Sequence, residues 1–113
     1  MNKKLRLLIV DLGYTCTDSP PMARSEVEII EIGAVIEQLD DTCFKVLSQI
    51  QLYVKPVCHP NLTPFCTELT GIEQSQVSNA PTLSVTCEKL SNWLSNYDPD
   101  TWFSWGKFDA AQF

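Results

Sequence analysis

The sequence predicts an α/β domain whose mixed sheet opens in the order β-β-β-α-β-α. Three observations predict it. Runs rich in Leu, Ile and Val follow one another in the first half of the chain, parted by turn residues. Helical periodicity is confined to the stretch after Pro56, where period 3.6 replaces the strand pattern. A short aromatic segment, Thr101–Trp105, then reads as a return to the sheet.

Each element follows from its own residues. Leu5–Asp11 is a short continuous apolar run ended by polar residues, the pattern of a buried strand. Thr15–Ser25, with Pro20-Pro21, is a loop. Val27–Gln38 is the second strand, its Glu28 and Glu31 set among isoleucines, and Asp40-Asp41 marks a turn before a third strand at Cys43–Lys55. Together these form a meander with short connections.

Cys58–Pro64 is a proline-bearing loop, and Thr63 and Pro64 suit an N-cap and first helical position. Phe65–Leu69 is then one helical turn that Gly71 closes, and Glu73–Val77 forms another. Thr82–Tyr97 is the long helix, capped by Thr82, with Leu83, Val85, Leu90, Trp93 and Leu94 on one face. Asp98-Pro99-Asp100 ends it. After Thr101–Trp105, Gly106 introduces a further helical segment that begins Lys107-Phe108-Asp109.

A chain of 113 residues is one domain, 1–113. Its 44% hydrophobic content and mean hydropathy of −0.05 are ordinary for a globular domain, and its plentiful aromatic and β-branched residues argue against disorder. Its net charge of −6 argues against a protein that grips nucleic acid by neutralising phosphates. It leaves room for an enzyme that holds its substrate through metal ions and a few local contacts. The basic start, Lys3 to Arg6, precedes only four apolar residues, too few for a signal peptide. No segment approaches membrane-spanning length. The expectation is a cytoplasmic protein with no membrane partner. The cysteines number five and include no CxxC pair, so they read as reduced packing residues. His59, in the loop Cys58-His59-Pro60, reads as a surface residue.

Chemistry gathers at the end of the first strand. Asp11 stands where ligands of open α/β sheets lie. In a strand, positions i and i+2 share a face, so a carboxylate at 13 would help Asp11 hold a divalent metal. The residue there is Gly13, which also fits a turn glycine, as Asp11 alone fits a turn or cap.

Asp11-Leu12-Gly13-Tyr14-Thr15-Cys16 resembles the first exonuclease motif of the DEDD superfamily, Asp-x-Glu-x-Thr. Glu28–Val35 is similar to that family's second strand. Tyr53-Val54-Lys55-Pro56, Leu62–Cys66 and Leu69-Thr70-Gly71-Ile72 resemble the RNase T and Eri-like branch, and Ser104–Asp109 its second motif. The blocks run in the family's order over nearly the whole chain. The resemblance implies a DEDDh 3′–5′ exonuclease with a ribonuclease H-like fold that stops short at its C-terminal end. It implies four carboxylates around two Mg²⁺ or Mn²⁺ ions, with a histidine as general base. Carried over, Asp11 and Asp109 are the catalytic, metal-binding aspartates, and Gly13 takes the place of the first-motif glutamate.

The family's third motif, a histidine and an aspartate, belongs several dozen residues after Asp109, past Phe113. The resemblance further implies a single-stranded RNA or DNA 3′ end as partner, met by Leu12, Tyr14, Thr15, Leu69, Thr70, Trp105 and Phe108. Gly71 and Ile72 also fit plain helix-end chemistry, and Trp105 and Phe108 also fit the core. The expected function is an exonuclease-family domain, inactive or severely impaired as the chain stands. The alternatives are a non-catalytic binding or regulatory module and a piece of an active exonuclease.

Without a third motif, the strand at Thr101–Trp105 is expected to be an open edge, and open apolar edges pair. The chain is therefore expected to self-associate. Light scattering after size exclusion at micromolar concentration checks this, and a cooperative-melting monomer of 12.7 kDa would count against it.

Overall fold

The structure, a computed structural model, describes residues 4–18 and 20–104. Four strands form one sheet in the order β3-β2-β1-β4. They are β1 (Leu5–Tyr14), β2 (Ile29–Leu39), β3 (Phe44–Tyr53) and β4 (Thr101–Ser104). The first three pair antiparallel, and β4 joins β1 in parallel through Leu7–Val10 against Thr101–Ser104. Between β3 and β4 lie α1 (Pro64–Thr70), α2 (Gln74–Ser78) and α3 (Leu83–Leu94). The expected mixed sheet is present. The helical segment expected from Lys107 lies outside the described residues.

β1 runs three residues further than the sequence suggested. Asp11 lies inside the strand, because Leu12 keeps the alternation and Gly13 still pairs with Glu31 before a bulge at Tyr14. Alternation sorts the sheet's faces. Leu8, Val10 and Leu12 of β1 and Ile32, Ala34 and Ile36 of β2 point into one core cluster, which Leu90 of α3 completes. A second cluster, Ile30, Cys66, Ile72 and Val77, seats α1 and α2 at the far end of β2.

The helix ends are held by local chemistry. The Cys66 amide donates to Thr63 Oγ1 at 3.0 Å, Pro64 fills the first turn, and Gly71 closes α1 at φ 76°. That is the left-handed conformation glycine adopts at little cost. Glu73 and Gln76 form a reciprocal capping box on α2. Thr82 takes the N-cap position of α3, yet its side chain makes no capping bond.

The buried stripe of α3 differs from the expected one. Leu83 and Val85 are exposed, and Thr86 is buried in their stead, its hydroxyl donating to the Tyr53 and Thr82 carbonyls. Trp93 packs beside the core and donates from Nε1 to Ser48 Oγ at 3.1 Å. A hydroxyl bonded to the preceding turn can go inside a helix interface, so polarity alone misjudged the stripe.

Arg6 ties the sheet to the α3–β4 turn. Its Nη1 donates to the Tyr97 carbonyl at 2.7 Å, and its backbone exchanges bonds with Asp100. In this turn Asp98 takes φ 46°, a left-handed value that Asp tolerates better than most residues. At the β2–β3 turn, the Thr42 amide and then that of Cys43 hold the Asp40 carboxyl below its usual range. Glu28 closes the loop after β3 by accepting the amides of Val57, Cys58 and His59.

Only part of the expected cysteine packing is present: Cys66 is buried and Cys16 half-buried, but Cys43, Cys58 and Cys87 are exposed. Polar neighbours in turns and on the outer side of α3 explain their exposure. His59 lies near the surface, 3.7 Å from Glu26. Among the described residues, no helix is long and apolar enough to cross a membrane.

The burial pattern sets an expectation for stability. Ile32 is fully enclosed whereas Gln49 is exposed. Ile32→Ala is expected to cost about 2–5 kcal/mol and Gln49→Ala less than about 0.5 kcal/mol. Urea denaturation checks both, and comparable losses would contradict the assigned faces.

Candidate active site

Odd-numbered β1 residues face away from the cluster that α3 covers. Asp11 sits on this face opposite Gly33 of β2, which in turn sits opposite Gln51 of β3. One register step along, Gly13 faces Glu31. Asp11, Glu31, Gly33, Gln49 and Gln51 help line an open trough of about 530 Å³. Asp11 is exposed in it, and the Glu31 carboxylate accepts a hydrogen bond from the Gln51 amide. The glycine at 33 leaves the floor low beside Asp11.

Gly13 is a packed position, and the turn-glycine alternative falls with it, because β1 continues through it. A Cβ built there would stand 3.1 Å from Ile72 Cδ1 and 3.2 Å from Glu31 Cβ, with Glu31 Oε1 at 3.4 Å. A side chain at 13 would thus begin in tight contact with the residue after α1 and with the cross-strand neighbour, which would have to give by a few tenths of an ångström. Sequence reasoning missed both partners. The sequence presents Ile72 as a motif-block and helix-end residue and Glu31 as a second-strand residue, neither as a neighbour of position 13. Counting parity along β2 would have put Glu31 on the Asp11 face, but not the register that sets it against Gly13.

The described donors do not fit a two-ion centre. Hard divalent cations take several oxygen ligands at once. Here Asp11 offers a carboxylate, Gly13 offers none, and Glu31 is engaged with Gln51. Among the described residues, no group of three or more His, Cys, Asp or Glu side chains could hold a metal ion. Asp109 lies outside the described residues.

The residues expected to meet nucleic acid are divided by the fold. Leu12 points into the core, 8% exposed, so it presents no surface to a ligand. Thr15 is buried as well. Its hydroxyl donates to Met22 Sδ and accepts from the Glu28 amide, which fastens the exit of β1 to the start of β2. Thr70 closes α1: its hydroxyl donates to the Cys66 carbonyl and accepts from the Ile72 amide. Tyr14 is half-buried against the core. Leu69 stands out at 66% exposed, beside Phe65 and Glu68 on α1. Trp105 and Phe108 lie outside the described residues.

The crowding at Gly13 is measurable. Alanine in a strand is intrinsically favoured over glycine by about 0.5–1 kcal/mol, but the added methyl meets Ile72 Cδ1. Gly13→Ala is therefore expected to be more favourable, by about 0.5–1 kcal/mol, in an Ile72→Val background than in the parent chain. A double-mutant cycle in denaturant checks it, and simple additivity would show that Ile72 does not occupy the space.

Comparison with known proteins fits this geometry. The family model described as an exonuclease of the RNase T type matches residues 8–98. ERI1 exoribonuclease 3 of Homo sapiens is 39% identical over 88 residues, 78% of this chain and 25% of that protein. The 3′–5′ exonuclease Snipper of Drosophila melanogaster is 36% identical over 92 residues, 80% of this chain and 32% of Snipper. The nuclease domain of 3′hExo, a DEDDh family member bound to rAMP, superposes with a TM-score of 0.82 at 28% identity. That match covers 96% of this chain and 55% of the 3′hExo domain. The chain thus spans from about an eighth to about a half of the proteins it matches. With the sheet order, the ordered motif blocks and these likenesses together, the chain belongs to the RNase T exonuclease family, in its Eri-like DEDDh branch with a ribonuclease H-like fold.

Proposed function

We propose that this domain engages the 3′ ends of single-stranded RNA or DNA and is severely impaired in hydrolysing them. The observation that carries the proposal is Gly13, which puts no carboxylate on the Asp11 face of β1 and is closely packed by Ile72 and Glu31. Exonucleases of the DEDDh family use divalent metal ions. For this chain the expected ions are Mg²⁺ or Mn²⁺, with Asp11 and Asp109 as the candidate ligands. Each lost carboxylate weakens the hold on such ions, and residues that act as one unit fail together.

Engagement of an end asks less of the site than hydrolysis does. The exposed Leu69 offers an apolar contact to a base. Binding of rAMP by the related 3′hExo domain supports a nucleotide 3′ end as the ligand class. The acidic net charge of −6 favours a few local contacts over a long backbone groove.

The test is trimming of 5′-labelled single-stranded RNA and DNA with Mg²⁺ or Mn²⁺. No ladder is expected from the chain, and low-millimolar metal is expected to leave its melting temperature almost unchanged, since a weak ligand stabilises little. Gly13→Glu alone is expected to restore nothing, because one added carboxylate supplies no general base to a constellation that acts as a unit. Leu69→Ala is expected to weaken oligonucleotide binding. Ladders that vanish on Asp11→Ala would overturn the proposal of impaired hydrolysis, and a chain that binds no oligonucleotide would overturn the engagement.

A further inference from the structure

The segment leaving β1 and the helix α1 meet at two cysteines. Cys66, 1% exposed, belongs to the core cluster that seats α1, and Cys16 packs against that same cluster. Both side chains line one small cavity of about 40 Å³. The Cys66 thiol donates to the Tyr14 carbonyl at 3.5 Å. Thr63 bridges the two backbones, its hydroxyl donating to the Cys16 carbonyl at 2.9 Å and accepting from the Cys66 amide at 3.0 Å. Burial first, then hydrogen bonding to the Cys66 thiol and its charge, push the Cys16 thiol from 9.0 up to about 12. The two cysteines line one cavity and are tied to it through Thr63 and the Tyr14 carbonyl. Cys43, Cys58 and Cys87, by contrast, are exposed.

We propose that Cys16 and Cys66 are a redox-responsive pair that peroxide closes to a disulfide, stapling the exit of β1 to α1. Cys16, the more accessible of the two, meets the oxidant. Its sulfur attacks one peroxide oxygen, the O–O bond breaks, and the departing hydroxide takes the thiol proton to leave as water. Cys66 sulfur then attacks the sulfenic sulfur of Cys16. The S–O bond breaks, and the second hydroxide leaves as water with the Cys66 proton. Two thiols lose two electrons and two protons, and one peroxide becomes two waters. Burial disfavours the Cys16 thiolate, so closure is slower in neutral than in alkaline solution.

The staple joins the strand exit that carries Tyr14 and Thr15 to the helix that carries Leu69 and Thr70. Any effect on oligonucleotide binding rests on the function proposed above. The bond itself does not.

The test treats the full chain with hydrogen peroxide, alkylates the remaining thiols, and maps the peptides by mass spectrometry. The expected product is one intramolecular Cys16–Cys66 link, with a loss of two hydrogens, reversed by dithiothreitol. Its melting temperature is expected to exceed that of the reduced chain, since a bond across this loop restricts the unfolded state. Cys16→Ser is expected to abolish both the link and the gain. A chain with Cys43, Cys58 and Cys87 changed to Ser is expected to keep both, which covers the case in which a Cys66 variant fails to fold. Full alkylation of Cys16 and Cys66 after peroxide, or a link that leaves the melting temperature unmoved, would overturn the staple. Because mapping needs no nucleic acid, that failure is separate from a failure to bind oligonucleotide.

Discussion

The antiparallel register between β1 and β2 is the constraint on which the rest of the molecule depends. Asp11 opposite Gly33 and Gly13 opposite Glu31 follow from it, as does the inward direction of Leu8, Val10, Leu12, Ile32, Ala34 and Ile36. A slip of one residue would send every one of these side chains to the other face. The isoleucines of β2 therefore do two things at once. They bury apolar surface against α3, and by doing so they hold Asp11 in the open trough. The parallel ladder to β4 completes the support, because β1 is then paired on both sides up to Val10, one residue before Asp11.

The same register turns the glycine in the first motif into a packing feature. The absent carboxylate leaves no hollow beside Asp11. Instead Ile72, placed by the helix-end geometry of Thr70 and Gly71, reaches over Gly13, and Glu31 leans in from β2. The α1 end and the sheet are thereby coupled. A larger residue at 13 would disturb the segment that presents Leu69 as well as the sheet face. Glu31, the carboxylate nearest this gap, is turned to Gln51.

The polar residues around the motif hold the structure together. Thr15 bonds to Glu28 and Met22, and Glu28 closes the loop at Val57–His59. Arg6 binds the turn after α3. The bonds of Glu28 and Arg6 reach across the chain and satisfy backbone groups that the sheet leaves unpaired, so they act as structural ties.

The sequence by itself determined what depends on near neighbours. The strands' approximate positions follow from apolar runs and turns. Thr63, Pro64 and Gly71 set the limits of α1, because capping and left-handed closure act within a few residues. The ordered motif blocks named the family. Only the tertiary structure decided how far β1 runs, and that Thr86 instead of Leu83 or Val85 faces the core. It also placed Leu12 inside, and set Cys16 beside Cys66 and Ile72 over Gly13. Each of those facts concerns a contact between segments distant in the chain. Periodicity assigns a side chain to a face, whereas what covers that face is fixed by register and packing, which no local pattern encodes.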